Sequence, residues 1–285
     1  MDQRIINLFD EYTHKPLTRE EFIRKLTLLT GSTAAALSVL PLLEVNYAHA
    51  ATVPLQDDRL VTEYVNYPAG DVTMRAYVAR PKKETIYGAV MVVHENRGLN
   101  PHIEDVTRRM ALEGFLAIAP DALAPLGGTP QDADQARDLF QKLDAKQTIN
   151  NFAKAFDYLK TRKDCNGKFA CVGFCWGGAM ANNLAVQVPE LLAAAPYYGR
   201  QPDLAEVPKI KATMQLHYAG MDERVNAGIE AYEKALKDAG ISYQLYLYEG
   251  AQHAFNNDTA PTRYNEEAAK LAWSRTITLF KDKLK

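Results

Sequence analysis

The sequence is short of the features that mark several protein classes. Among its 285 residues there are three cysteines, Cys165, Cys171 and Cys175, with no C-x-x-C pair among them. An odd number excludes a fully paired intrachain disulfide framework. At least one thiol is left free, and its reactivity becomes the question. Neither sign of charge dominates: 33 Lys and Arg stand against 35 Asp and Glu, a net of −2. That excludes the basic stripe of a nucleic-acid binder, and there is no polybasic membrane patch or acidic tail. Histidines and carboxylates do not fall at metal-ligand spacing, so no metal or other cofactor is implied. No internal repeat or low-complexity linker interrupts the chain.

Long apolar runs are also lacking. The best, residues 26–43, contains Thr27, Thr30, Ser32, Thr33 and Pro41, and it falls short of the roughly 20 apolar residues of a membrane span. It follows a charged start and precedes Ala48-His49-Ala50, an A-x-A pattern, so it has the outline of an export signal. The segment Thr18-Arg19-Glu20-Glu21-Phe22-Ile23 resembles a twin-arginine motif with Glu20 in place of the second arginine. Those acidic residues argue against efficient export and favour the cytoplasm, with the periplasm as the alternative. The competing reading is a helical arm packed on the body, able to dock on a second copy of the chain. Residues 1–52 are therefore set apart as an arm or signal-like segment, and 53–285 as the main domain.

From residue 53 onward strands alternate with helices. Residues 61–67 and 72–80 alternate apolar and polar and predict an antiparallel edge hairpin. Residues 89–93 are continuously apolar, as in a buried central strand. Further strands are predicted at 115–120, 169–173, 192–197, 213–218 and 243–248. Helices are predicted at 101–113, 132–160, 176–187, 226–239 and 266–284. Such alternation implies an α/β fold, with a mainly parallel sheet covered on both faces.

The strongest local signal is Gly173-Phe174-Cys175-Trp176-Gly177, which fits G-x-S-x-G with cysteine in the serine position. The pattern places a nucleophile on a sharp turn from strand to helix, where glycines on either side relieve crowding. The helix N-terminus would stabilise a thiolate, and the Trp176 N–H would face a developing oxyanion. A buried cysteine in a glycine-rich turn is the plainer alternative. Cys171, four residues earlier in an apolar strand, reads as core, and Cys165 as an incidental loop residue.

In an α/β-hydrolase the acid and the histidine follow the nucleophile in that order. Asp222 follows a predicted strand, with Glu223 as competitor and a helix N-cap as its structural alternative. Of the six histidines, His14 and His49 lie in the arm, His94 and His102 precede Cys175, and His217 sits mid-strand in what reads as a hydrogen-bonded core position. His253, in a loop after the last strand, alone has the right order and place. A second oxyanion donor is expected from the loop after residues 89–93, with the Asn96 N–H as candidate. Glu95 and Arg97 stand in the same loop, at a strand end where α/β folds bind ligands.

Together V-V-H-E-N-R-G-L-N (92–100), A-P-D (119–121), G-F-C-W-G-G (173–178), the Asp222 turn and the His253 loop resemble the dienelactone hydrolase (carboxymethylenebutenolidase) family across roughly residues 60–285. A subgroup with a signal-like arm shares H-E-N-R-G-L-N, Tyr198-Gly199-Arg200 and His-x-Phe-x-Asn-Asp. The resemblance implies an α/β-hydrolase fold and hydrolysis of a small ester or lactone through a thioester on Cys175. It also implies that Glu95 contacts the thiol and accepts its proton. Family members hold a substrate carboxylate with two arginines. This chain has Asn257 at one of those positions, and Arg137 only near the other. Arg97, Arg200 and Arg263 are the arginines left to rebuild an anion site, and a different ester or lactone is expected. The same triad leaves open acyl transfer or peptide hydrolysis. Cys171 and Cys175 leave open a redox role, and the scaffold could serve binding without catalysis.

Overall fold

The structure, a computed structural model, describes residues 1–44 and 52–285. The A-x-A pattern at 48–50 lies outside the described residues. Ten α-helices and eight strands are described: α1 (Gln3–His14), α2 (Arg19–Thr30), α3 (Thr33–Leu43), β1 (Leu60–Ala69), β2 (Val72–Pro81), β3 (Tyr87–Val93), α4 (Pro101–Leu112), β4 (Leu116–Pro120), α5 (Ala133–Phe140), α6 (Ala145–Thr161), β5 (Cys165–Phe174), α7 (Trp176–Gln187), β6 (Leu191–Tyr197), β7 (Thr213–Ala219), α8 (Glu223–Asn226), α9 (Ile229–Asp238), β8 (Tyr243–Tyr248) and α10 (Glu266–Lys283). The strands form one eight-stranded sheet in the order β1-β2-β4-β3-β5-β6-β7-β8. β1 and β2 form the expected antiparallel edge hairpin and β2 meets β4 antiparallel, while the ladder from β4 to β8 is parallel. This is the α/β-hydrolase architecture. A right-handed crossover through a helix is what lets successive strands run parallel.

Side chains alternate across the sheet, so each strand feeds two cores. Along β5, Phe169 and Cys171 join the core under α6, α7 and α9, while Ala170, Val172 and Phe174 join the core under α4 and α10. β3 is buried along its whole length, as its continuous apolar run requires.

Three expected elements differ. The stretch 132–160 is two helices, α5 and α6, because the Asp144 carboxylate accepts the Gln147 N–H and starts a new helix. The helix expected at 226–239 is α8 followed by α9, broken at Gly228. Cys165 is the first residue of β5 rather than part of a loop.

The arm is helical and rests on its own body. α1 is amphipathic and buries Leu8, Phe9 and Tyr12, which pack with Phe22 and Leu26 of α2 and Leu40 and Leu43 of α3 into a small separate core. The Thr18–Glu21 segment of the degenerate export motif is a reciprocal capping box that starts α2, and the adjacent Phe22 is fully buried. Gly31, at φ 82°, ends α2 in the left-handed region. Among the described residues no single helix is long and apolar enough to cross a membrane. The pair α2 and α3 reaches the required length and composition only together, across a bend of 112°.

Candidate active site

β5 ends at Phe174 and α7 begins at Trp176, so Cys175 alone turns the chain, with φ 57° and ψ −113°. That is a strained conformation for a residue with a side chain. The flanking glycines make it feasible. A Cβ on Gly173 would stand 1.9 Å from the Gly177 carbonyl oxygen, and one on Gly177 would stand 2.4 Å from that of Val93. The Cys175 N–H donates to Tyr197 O at 3.0 Å, which fixes the turn to β6. Two more non-glycine residues with positive φ flank the site, Tyr198 at 37° and Ala254 at 66°.

Asp222 follows β7. Its Oδ1 accepts the Val225 N–H at 3.2 Å and caps α8, while its Oδ2 lies 2.5 Å from His253 Nδ1. Capping and histidine binding, alternatives in the sequence, are both performed by this one carboxylate. His253 and Cys175 come within 4.8 Å through a ring nitrogen and the sulfur. His253 Nε2 itself is buried and has no hydrogen-bond partner among the described residues.

The thiol is instead hydrogen-bonded to the arm: His14 Nε2 lies 3.1 Å from Cys175 Sγ. The His14 ring also packs edge-on against that of His253, with centroids 4.7 Å apart. Its Nδ1 is 3.1 Å from Asp10 Oδ1 and 2.9 Å from the Asp10 carbonyl oxygen. Cys175 thus sits between two Asp–His pairs. Burial works against a charged thiolate, but His14 and His253 outweigh it and bring the thiol down to about 6. Burial opposes charge on His253 as well, yet the thiolate and Asp222 raise it to about 10. His14 is raised against burial by Cys175 and Asp10, and Asp10 and Asp222 are held below the usual carboxylate range by their histidines.

Glu95 does not take the place expected for it. Its Oε2 accepts from Asn257 Nδ2 at 2.9 Å, and its Oε1 is buried without a hydrogen-bond partner among the described residues. Glu95 lines a cavity of about 680 Å³ together with Cys175 and His14, but the hydrogen bond on the sulfur belongs to His14. Asn96 lines the same cavity, with its side chain donating to Thr13 O at 2.7 Å. Trp176 is the first residue of α7, so its N–H has no intrahelical acceptor. Its ring stacks on His94, 5.3 Å away.

The arginines divide. Arg137 is turned to the arm: it donates to Tyr12 O at 3.3 Å, and its guanidinium lies 4.2 Å from the Tyr12 ring. Arg263 faces the Phe9 ring at 5.2 Å, with its Nε buried and unpaired among the described residues. Arg97 and Arg263 line the first cavity. Arg200 and Arg137 line a second cavity of about 650 Å³ that also reaches His14 and Cys175, where Phe140, Trp176 and Val225 supply apolar walls and Lys15 and Arg224 add positive charge.

Two other histidines have core roles. His217 is bonded to Tyr248, Gln215 and Thr276 and is lowered by burial to about 3. His94 receives the Ala122 N–H at 3.1 Å and is lowered by burial. One ring nitrogen each from His14 and His253 and the Cys175 sulfur lie within 4.8 Å of one another.

The sequence profile of the "Dienelactone hydrolase family" matches residues 74–284. The chain belongs to the dienelactone hydrolase family. A protein of Escherichia coli O157:H7 with the provisional name carboxymethylenebutenolidase is 33% identical over 247 residues, covering 80% of this chain and 90% of its own. A provisionally so named protein of Saccharolobus solfataricus is 31% identical, covering 73% and 94%. A crystal structure of a provisionally named dienelactone hydrolase from Klebsiella pneumoniae superposes with a TM-score of 0.70 at 28% identity, over 78% of this chain and 98% of that one. Membership of the dienelactone hydrolase family makes the protein a hydrolase acting on carboxylic esters. The arm, with His14 and Asp10, lies outside the family match.

Sequence reasoning missed Asp10 and His14. The signal was present: an acid and a histidine four residues apart share one face of an amphipathic helix. Nothing in the spacing, however, shows that this face lands on Cys175.

Proposed function

We propose that the protein hydrolyses a small ester or lactone through a thioester on Cys175, with His253 and Asp222 completing the triad. The observation that carries this reading is a cysteine forced to φ 57° at a strand–helix turn, beside a histidine whose other nitrogen is held by a carboxylate at 2.5 Å. The Cys175 thiolate attacks the carbonyl carbon. The N–H groups of Asn96 and Trp176 are the proposed donors to the oxyanion, each worth roughly 10²–10³ in rate. The carbon–oxygen bond then breaks and the alcohol leaves with a proton from the His253 imidazolium. In the second half His253 takes a proton from water, the hydroxide attacks the thioester, and the carboxylic acid leaves as the thiolate returns. A lactone follows the same steps, except that the alcohol formed on ring opening stays bonded to the acyl chain and water releases the hydroxy acid.

The substrate is proposed to differ from a dienelactone. The family's carboxylate clamp needs an arginine where Asn257 is bonded to Glu95, and Arg137 is engaged by Tyr12. The second cavity, with apolar walls and Lys15, Arg200 and Arg224 around it, suits an acyl group with an apolar body and a negative end.

Intact mass spectrometry after brief mixing with p-nitrophenyl acetate and acid quench tests the mechanism. A transient acetyl adduct mapped to Cys175, absent from Cys175→Ala and stalled in His253→Ala, is the expected result. Unchanged turnover by Cys175→Ala would refute the reading.

A further inference from the structure

We propose that the N-terminal arm completes the active site: His14, oriented by Asp10, is a second catalytic histidine that holds Cys175 as a thiolate through a direct hydrogen bond. The proposal rests on Cys175 being the nucleophile. Three observations carry it.

The first is contact with the reacting atom. His14 Nε2 is 3.1 Å from Sγ, well inside the range of a hydrogen bond to sulfur. The second is orientation. Thr13 Oγ1 lies 2.9 Å from His14 Nδ1, beside the Asp10 contacts already described, and Arg224 Nε reaches Asp10 Oδ2 at 3.3 Å. The Asp10 carbonyl oxygen on Nδ1 leaves Nε2 to meet the sulfur, and the Asp10 carboxylate 3.1 Å from Nδ1 stabilises the charged ring. The third is the docking of the helix that carries them. Gln3 and Gln252 exchange two amide hydrogen bonds, at 3.0 and 2.7 Å, next to His253 itself. Asn96 and Arg137 bind the Thr13 and Tyr12 carbonyl oxygens, in the last turn of α1.

Two histidines allow the work to be divided. His253, whose Nε2 has no partner among the described residues, shuttles the proton: it gives one to the leaving alcohol and takes one from water. His14 keeps its proton throughout. It stabilises the resting thiolate by its charge, waits beside the neutral thioester on its Asp10 partner, and receives the thiolate again when water displaces it. No proton is left over, since His253 ends each turnover as it began. The other charges around His14 are mixed. Lys15 and Arg224 add positive charge near it, Arg263 and Glu95 stand across the first cavity, and the sulfur and the Asp10 carboxylate are the two anions in direct contact.

The test is the pH dependence of Cys175 alkylation by iodoacetamide, with thioester lifetime measured in parallel by mass, on full-length wild type, His14→Gln, Asp10→Asn and His253→Gln. Glutamine can still donate a hydrogen bond from near the Nε2 position but carries no charge, so a merely structural role would be preserved. The expected result for His14→Gln is a rise of about one pH unit or more in the alkylation midpoint, with a longer-lived acyl-enzyme. Asp10→Asn should shift the midpoint the same way by less. Trypsin resistance of the arm shows that His14→Gln remains docked. If it undocks, the Asp10→Asn midpoint decides. An unchanged midpoint in a docked His14→Gln, or in Asp10→Asn where His14→Gln is undocked, while His253→Gln raises it, overturns the proposal and leaves the triad standing. Full turnover by Cys175→Ala overturns the triad instead.

Discussion

A thiol in an apolar cleft is normally harder to ionise than one in water, and the two outcomes appear side by side in this chain. Cys171 faces the core under α7 and is raised by burial alone. Cys175, four residues on and across the sheet, is lowered to about 6 because two imidazoles face it. Mild peroxide should therefore add oxygen to Cys175 and leave Cys171 untouched, with no two-proton loss from a Cys171–Cys175 bridge. Intact and peptide mass measurements check this, and a bridge would reopen the redox reading. The same shifts set a pH profile. Cys175 loses its proton as pH rises through about 6, so activity should climb there. In the proposed mechanism His253 holds a proton for the leaving group, and it loses that proton near 10, so activity should fall at that limit. A bell-shaped profile of kcat/KM on an activated ester is expected, and a flat one between pH 5 and 7 would contradict the thiolate assignment.

At the scale of the element, the turn at Cys175 depends on absent atoms. Gly177→Ala would press a Cβ onto the Val93 carbonyl oxygen, which is backbone of the central strand and cannot step aside. We expect a loss of about 2 kcal/mol or more in urea unfolding, together with loss of esterase activity. The turn was legible in the sequence because that crowding forces glycine at both positions, and β3 because full burial forces an apolar run. Chain order singled out Asp222 and His253, and the two side chains are paired at 2.5 Å. Other features escaped. The break between α5 and α6 hangs on one capping carboxylate, Asp144, inside a stretch of helical period. The Glu95 contact was inferred from resemblance, but Asn257 holds that carboxylate. His14 escaped because its contact with Cys175 depends on where a helix docks, a long-range fact that local spacing does not encode.

For the molecule as a whole, the arm is held by groups from several loops. Arg137→Ala removes both the bond to the Tyr12 carbonyl oxygen and the ring contact, worth roughly 1–3 kcal/mol together. The arm should then be cut faster by trypsin while the body's melting temperature hardly moves. A faster cut accompanied by global unfolding would mean that arm and body form one cooperative unit. The two chain ends also lie at opposite poles of the sheet. Gln3 is bonded to Gln252, beside the cleft, whereas the Leu284 carbonyl oxygen accepts from Asn166 Nδ2 at 3.0 Å, near the amino ends of the strands. The termini are therefore unequal as handles. A fusion at Met1 crowds the mouth through which substrate and water must pass. Immobilising the protein through Lys285 turns that mouth away from the support and leaves it open.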